Sequence, residues 1–170
     1  MKVLIAYYSR TGVTRKAAEA VGRALREGGI AEVAVEEIAD KKRRSGVCGW
    51  LGAVMDGVRK HAAAIEPLKA DAAAFDCVVI GTPVWAGNVS PAARTFCAGA
   101  GARAGRVAFL CTMHSSGDEK TFKTMRGLCG RDPVATLAVT ERAVKRGDEE
   151  LFLARVRDFG AEIAAGVGSS

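Results

Sequence analysis

Short apolar runs alternate along the chain with segments in which apolar residues recur every three or four positions. The runs lie at residues 2–6, 32–38, 76–80, 106–111 and 134–139. Their lengths are those of strands, and their alternation with helical segments is typical of βαβ units, which build a parallel sheet. The first run is continuously apolar, as expected for a strand that is covered on both faces. The pattern therefore predicts an α/β fold with five parallel strands.

The helical segments are recognised by apolar stripes and by residues typical of helix ends. The first stripe follows the first strand and ends at Gly28-Gly29. Ser90-Pro91 predicts a second helix start, because serine suits the N-cap and proline the first helical position. Residues 116–119 match a capping box and predict a further start after the fourth strand. The stripe of the last helix consists of Phe152, Val156, Phe159 and Ile163.

The segment between the second and third strands, residues 39–75, is longer than one crossover helix requires. Within it a helical stripe is formed by Val47, Trp50, Leu51, Val54, Met55 and Val58. In a chain of 170 residues we expect a single domain over residues 1–165 that includes this insertion. Residues 166–170 are expected to form a flexible tail.

Charge is concentrated inside the insertion, although the chain as a whole has a net charge of +6. Between residues 41 and 60 the one acid is Asp56, and the bases are Lys41, Lys42, Arg43, Arg44, Arg59 and Lys60. Such a cluster can bind nucleic acid, a membrane surface or an acidic protein, and it can equally be a solvated rim. The sequence leaves these alternatives open.

Cysteine and histidine usage indicates no metal site. The five cysteines contain no C-x-x-C pair, and the two histidines are His61 and His114. We expect buried, reduced thiols that act as small hydrophobic side chains. No apolar run is long enough to span a bilayer, and the apolar start of the chain is too short for a signal peptide. A cytoplasmic location is therefore expected.

Three loops carry the sequence that could bind a ligand, because ligands of open parallel sheets bind at the carboxyl ends of the strands. The first, residues 9–14, has three hydroxyl side chains and a glycine at a helix start. Unpaired amides there favour an anion, so the loop predicts a phosphate site. An ordinary Ser/Thr-capped helix is the alternative.

The other two loops follow the third and fourth strands. In the loop predicted at residues 81–89, Trp85 offers a stacking face for a planar ligand, unless its ring closes the top of the core. Gly87 allows backbone conformations that other residues resist. Residues 112–117 bring Ser and Gly donors to the same edge, with His114 as a proton donor, a ring contact or a solvent-facing side chain.

The loop pattern [ST]-x-T-G-x-T after a strand ending in Tyr7-Tyr8, together with T-P-V-W-x-G after the third strand, resembles the flavodoxin family of FMN-binding proteins. The resemblance covers essentially the whole chain. It implies a three-layer α/β fold with sheet order 2-1-3-4-5 and with FMN at the edge between strands 1 and 3. Ser9, Thr11, Gly12 and Thr14 would hold the ribityl phosphate, and the later loops would flank the isoalloxazine. The implied cofactor-binding residues are Ser9, Arg10, Thr11, Gly12, Val13, Thr14, Pro83, Val84, Trp85, Ala86, Gly87, Asn88, Thr112, Met113, His114, Ser115, Ser116 and Gly117.

The chain also departs from that family. The family's electron carriers are acidic whereas this chain is basic, and the loop after the fourth strand lacks the tyrosine that many flavodoxins stack on the flavin. The long-chain members are lengthened within strand 5, whereas the extra residues here fall between strands 2 and 3.

The resemblance implies an FMN electron-transfer protein that cycles between oxidised, semiquinone and hydroquinone flavin. An alternative is a flavin-dependent oxidoreductase acting on a quinone or on a tetrapyrrole such as protoporphyrinogen. A second alternative is a non-flavin binding module that uses the basic cluster. The expected partner is an acidic redox protein docking near the flavin edge and the basic insertion, and nucleic acid is not expected. The sequence assigns no catalytic residue.

Overall fold

The computed structural model describes residues 1–41, 63–146 and 149–168. The helix predicted within the insertion, the bases at positions 42–60, Cys48 and His61 lie outside the described residues. The last residues of the insertion form an extended covering segment, bridged at Ile65 to Asp40, and a short 3₁₀ turn, Ala72–Ala74. The carboxylate of Glu36 accepts the amides of Lys69 and Ala70 at 2.9 and 3.0 Å, so this segment is fixed to the sheet edge.

The sheet is parallel apart from one short strand. Its strands are β1 Lys2–Tyr7, β2 Glu32–Glu37, β3 Cys77–Trp85, β4 Asn88–Val89, β5 Val107–Met113 and β6 Thr136–Thr140. The order is β2-β1-β3-β5-β6, with β4 antiparallel to the end of β3. Because β5 and β6 are the fourth and fifth strands of the sequence prediction, the predicted order 2-1-3-4-5 is confirmed.

Five helices cover the sheet in the described part of the chain. They are α1 Val13–Glu27, α2 Pro91–Phe96, α3 Asp118–Cys129, α4 Glu141–Arg146 and α5 Glu149–Gly168. A π-helical segment, Cys97–Gly101, continues α2. Pro91 occupies the predicted first turn of α2, but Ser90 makes no side-chain capping bond; its hydroxyl lies 3.0 Å from that of Thr82. No described helix has the length and apolarity needed to cross a membrane.

Two cores lie on opposite faces of the sheet, which is the three-layer arrangement. Val3, Ile5 and Tyr7 of β1 join α1 and α5 on one face. Leu4 and Ala6 join α2, the π-helical segment and α3 on the other. The predicted stripe of the last helix is confirmed, since its side chains are at most 8% exposed. A strand buried on both faces needs the continuous apolar sequence that β1 has.

Three sequence predictions are corrected. The segment after residue 80 is not simply a loop, because β3 continues to Trp85 and returns through β4. The capping box at Ser116 is wrong: Gly117 is the N-cap of α3, and no side chain caps this helix. The tail does not begin at residue 166, because α5 runs to Gly168. Gly166 packs closely, since a Cβ there would lie 2.8 Å from the Cβ of Val134.

Candidate functional site

The three predicted loops lie at one edge of the sheet. β1, β3 and β5 are adjacent and parallel, so their carboxyl ends point the same way. Residues 9–14 follow β1, the β3–β4 hairpin extends the end of β3, and residues 114–117 follow β5. The fold therefore brings together the loops that the sequence singled out.

The first loop ends in a helix start that no side chain caps. Gly12 is the N-cap of α1 with φ +84°, and no side-chain hydrogen bond satisfies the first amides of the helix. A Cβ built at Gly12 would meet nothing within 4 Å, so the positive φ rather than crowding favours glycine here. The first-turn amides of a helix have no intrahelical acceptor, and the helix dipole favours an anion beside them.

Two hydroxyl groups of this loop have contrasting surroundings. The Oγ atom of Ser9 is buried and has no hydrogen-bond partner. The hydroxyl of Thr14 lies 2.7 Å from that of Thr112, and both residues are buried. The Thr14–Thr112 bond joins the first loop to the end of β5, whereas the Ser9 hydroxyl is left without a partner. An unpartnered buried hydroxyl is costly, and a bound acceptor would remove that cost.

The second loop is a β-hairpin. Trp85 pairs with Asn88, and the two residues between them, Ala86 and Gly87, have φ +48° and +68°. Positive φ at both central positions is what a type I′ turn requires. The ring of Trp85 stands edge-on against Tyr8, with ring centroids 5.5 Å apart and an interplanar angle of 82°. This contact joins the hairpin to the segment that follows β1.

The third loop packs against the hairpin through Gly117. This residue has φ +109°, and a Cβ built on it would lie 2.8 Å from Val84 Cγ1 and 3.2 Å from Gly87 Cα. A side chain at position 117 would therefore push the hairpin away. Gly117 both permits the backbone turn into α3 and allows the second and third loops to approach each other.

The predicted site residues divide by exposure. Those that are buried are Val13, Thr14, Asn88 and Thr112. Those that are partly buried are Ser9, Gly12, Pro83, Val84, Trp85, Gly87, Met113 and Gly117. The exposed ones are Arg10, Thr11, Ala86, His114, Ser115 and Ser116. The side chain of Asn88 is used internally, because its Oδ1 accepts the amide of Val89 at 2.9 Å and a guanidinium N–H of Arg94 at 3.4 Å.

Charged groups beside the first loop pair with each other. The guanidinium of Arg15 forms an ion pair with the carboxylate of Glu37 at the end of β2. Tyr7 lies in the same group, and burial raises its pKa while Arg15 opposes that rise. Arg15 is thus already paired. The groups of the loop that could bind an anion are its backbone amides, the Ser9 hydroxyl and the exposed side chains of Arg10 and Thr11. Among the described residues no group of His, Cys, Asp and Glu is arranged to hold a metal ion.

Sequence reasoning gave no site role to Tyr8 or to the Thr82–Ser90 pair. Tyr8 positions Trp85, and the Thr82 hydroxyl accepts the amide of Ser90 at 3.2 Å, which closes the base of the hairpin. The sequence could have predicted a site role for Tyr8, since an aromatic residue directly after a buried strand lies at the ligand edge. It could not have predicted the pairing of the Thr82 and Ser90 hydroxyls, because that pairing depends on the register of the hairpin.

Comparisons with known proteins show the family of this chain. The model of a family described as NADPH-dependent FMN reductase matches residues 1–113. A search of curated proteins finds no significant match.

Similar solved structures show the same fold. A flavoprotein from Lactobacillus acidophilus NCFM, solved in complex with FMN, has a TM-score of 0.65 and 19% identity over 84% of this chain and 94% of its own. A flavodoxin from the domain Archaea has a TM-score of 0.63 and 18% identity over 99% of both chains. The two-electron reduced flavodoxin of Megasphaera elsdenii has a TM-score of 0.59 and 14% identity, over 94% of this chain and 98% of its own.

Proposed function

The chain belongs to the NADPH-dependent FMN reductase family, and from this premise we propose that it binds FMN at the shared edge of β1, β3 and β5. The bound flavin would serve in electron transfer. Bound FMN would supply the redox chemistry, and the protein would hold the cofactor and control access to it. The first loop would hold the phosphate, and the second and third loops would flank the ring system.

One observation carries this proposal: the unpartnered buried hydroxyl of Ser9 beside the uncapped start of α1. A phosphomonoester is an anion with several acceptor oxygens, so it can accept the Ser9 hydroxyl and the first amides of α1 together. The donor set therefore fits the phosphate of FMN. The fit does not depend on Arg15, which is already paired with Glu37.

The hairpin and the third loop support the placement of the ring. Trp85 is held by Tyr8, and Gly117 lets the third loop approach the hairpin at Gly87. A planar ligand at this edge would lie beside an indole of fixed orientation. Residues 85–88 and 112–117 would then line the two sides of the isoalloxazine.

Electron transfer to a partner is the use of FMN that this edge supports best. The hairpin tip at Ala86 and the third-loop residues 114–116 are exposed, which gives another protein access to a flavin edge. None of the described titratable groups among the predicted site residues is buried. An electron carrier needs no catalytic acid or base at the flavin, whereas a substrate-processing enzyme uses positioned groups.

The test begins with the purified protein. The chromophore released on denaturation should have the mass of FMN, and the holoprotein should exchange electrons with a redox protein while oxidising no small substrate in steady state. A colourless protein that takes up no added FMN would contradict the proposal. Free FMN at the same concentration is the control for turnover by released cofactor.

A second candidate, an oxidoreductase that takes electrons from NADPH, is favoured by the description of the matching family. Its acceptor would be a quinone or a tetrapyrrole such as protoporphyrinogen. Steady-state NADPH oxidation that depends on a quinone and exceeds the free-FMN control would select this candidate over the carrier. Its absence would select the carrier.

We also propose that the redox partner presents an acidic surface, because the chain has a net charge of +6. Opposite charges accelerate encounter, and salt screens this attraction. The second-order rate of electron exchange should therefore fall as ionic strength rises. A rate that is independent of salt, or that rises with it, would contradict an acidic partner.

A further inference from the structure

Cys97 and Cys129 bring two thiols together in the core between the sheet and the α2–α3 layer. Cys97 is the first residue of the π-helical segment after α2, and Cys129 is the last residue of α3. Both side chains belong to the same core on that face of the sheet, where their thiols interact as hydrogen-bond partners. They are 0% and 2% exposed, and no disulfide joins them. Two sulfur atoms in such contact are one oxidation step from a covalent bond.

The surrounding backbone makes room for this pair. A Cβ built at Gly101 would lie 3.3 Å from the Sγ of Cys129 and 3.0 Å from Ile80 Cδ1, so a larger residue would crowd the sulfur. Directly after Cys129 the chain turns at Gly130, which has φ +67°. The turn places Arg131, whose guanidinium donates to the carbonyls of Gly105 and Ala102 at 2.7 and 3.0 Å. Its Nε lies 3.5 Å from the carbonyl oxygen of Cys129, so the cation is fixed beside that residue.

We propose that Cys97 and Cys129 form a reversible disulfide that joins α2, through its π-helical extension, to α3. α2 begins directly after the β3–β4 hairpin, and α3 begins at Gly117 of the third loop. The second and third loops thus lie at the N-terminal ends of α2 and α3. The disulfide would join the two helices at their C-terminal ends. This site is independent of whether the protein acts as a carrier or as an enzyme.

The electrostatics of the pair assign different roles to the two sulfurs. The hydrogen bond from Cys97 and the charge of Arg131 lower the pKa of Cys129, against the opposing effect of burial. The pKa of Cys97 is raised by its hydrogen bond to Cys129 and by burial. Because the Arg131 guanidinium is fixed beside Cys129 and Cys97 is the more deeply buried of the two, we take Cys129 as the attacking thiolate and Cys97 as the resolving thiol.

The oxidant of this step is hydrogen peroxide, a small neutral molecule, and it reacts first at Cys129, the more exposed of the two thiols. The Cys129 thiolate attacks one peroxide oxygen, the O–O bond breaks, and a sulfenic acid forms as hydroxide leaves and takes up a proton. The Cys97 thiol then attacks that sulfur, the S–S bond forms, and water leaves with the thiol proton. Two thiols lose two electrons in total, and one peroxide becomes two waters.

The other described cysteines differ from Cys129, the attacking thiol. Cys77 and Cys111 are completely buried, and burial raises the pKa of each to about 12. Their thiols stay protonated at neutral pH and should react slowly with peroxide. Cys77 lies at the start of β3, away from the proposed cofactor loops, so Cys77→Ala is the matched control.

The test is to treat the folded holoprotein with hydrogen peroxide, alkylate it under denaturing conditions and map its peptides without reduction. We expect a peptide pair joined between Cys97 and Cys129, a mass loss of two hydrogens, and full reversal by dithiothreitol. The same link should form in Cys77→Ala and be absent from Cys97→Ala and Cys129→Ala. The closed loop should raise the Tm of the oxidised protein by about 5–10 °C.

Three results would overturn the proposal. The first is recovery of both cysteines as alkylated thiols after peroxide has oxidised methionine in the same sample. The second is a disulfide that involves Cys48, Cys77 or Cys111 instead. The third is irreversible oxidation of Cys129 with Cys97 still free. Because the wild-type protein is mapped directly, each result holds even if a cysteine variant fails to fold.

Discussion

Ser9 is the single residue on which the phosphate site depends most. Its Oγ is buried without a partner, so replacing it with Ala removes an unsatisfied polar atom. We expect Ser9→Ala to leave the free energy of unfolding of the apoprotein unchanged or slightly higher, within about 1 kcal/mol. FMN affinity should fall about 10- to 100-fold, because a hydrogen bond to a charged group contributes about 1.5–3 kcal/mol. Fluorescence titration and denaturant unfolding measure the two quantities.

The chain provides a control for that substitution. Thr121 in α3 likewise has a buried hydroxyl without a hydrogen-bond partner. It lies one helical turn beyond the third loop and outside the proposed phosphate loop. Thr121→Val should therefore leave FMN affinity unchanged. Equal losses in the two variants, or none in Ser9→Ala, would contradict the role given to Ser9.

Replacing Gly117 with alanine tests the contact between the second and third loops. At φ +109° a side chain is strained, and its Cβ would lie 2.8 Å from Val84 Cγ1. Gly117→Ala should lower the free energy of unfolding by about 2–4 kcal/mol and weaken FMN binding. Gly130→Ala is the control, because its φ is +67° and a Cβ there meets nothing within 4 Å. It should cost about 1 kcal/mol and leave FMN binding unchanged, as denaturant unfolding and titration would show.

Among the elements, the β3–β4 hairpin contains the one non-glycine residue of the described chain that has a positive φ. Ala86 has φ +48° at the first central position of the turn, where asparagine followed by glycine is strongly preferred. Ala86→Asn keeps Gly87 in place and should raise the free energy of unfolding by about 0.5–1 kcal/mol. The midpoint of denaturant unfolding measures this effect. A lower midpoint would show that the turn is not of type I′.

The same hairpin shows where prediction from sequence fell short. The sequence prediction ended this strand at residue 80, whereas β3 continues through Gly81 and Pro83, two residue types that are rare inside strands. In the structure a Cβ at Gly81 would lie 2.8 Å from the Cβ of Tyr7, so glycine is required by the neighbouring strand. Pro83 still pairs in register with Thr112. Local composition could not reveal either fact, because both depend on strands that are distant in the sequence.

At the scale of the whole molecule, the apolar runs and their alternation with helical segments predicted the five parallel strands. The order of the strands was implied by the resemblance to the flavodoxin family. The apolar runs also predicted which loops share an edge. The pairing of those loops could not be predicted: the Thr14–Thr112 bond joins residues 98 positions apart, and the Tyr8–Trp85 contact depends on the hairpin. The unpartnered state of Ser9 is likewise a product of tertiary packing.

Buried thiols predict how the stability of the whole protein depends on pH. Burial raises the pKa of Cys77 and of Cys111 from 9.0 to about 12. Between these values the unfolded chain loses thiol protons that the folded chain keeps. Stability is therefore full below pH 9 and falls as pH rises towards about 12, by about 1.4 kcal/mol per pH unit for each thiol.

Denaturant unfolding at several pH values in the presence of a reductant measures this loss. Cys77→Ala should remove one thiol's share of the slope between pH 9 and 12. A free energy of unfolding that stays constant over that range would contradict the burial of both groups. An unchanged slope in Cys77→Ala would show that Cys77 does not contribute to it.

The proposed phosphate site at the start of α1 is tested most directly by comparing FMN with riboflavin, which has the same ring system and no phosphate. Each is titrated into the apoprotein and followed by flavin fluorescence. We expect one FMN to bind per chain. Riboflavin should bind at least about 100-fold more weakly, because the uncapped start of α1 and the Ser9 hydroxyl bind only the phosphate. Equal affinities for the two flavins, or no binding of FMN, would contradict the proposed phosphate site.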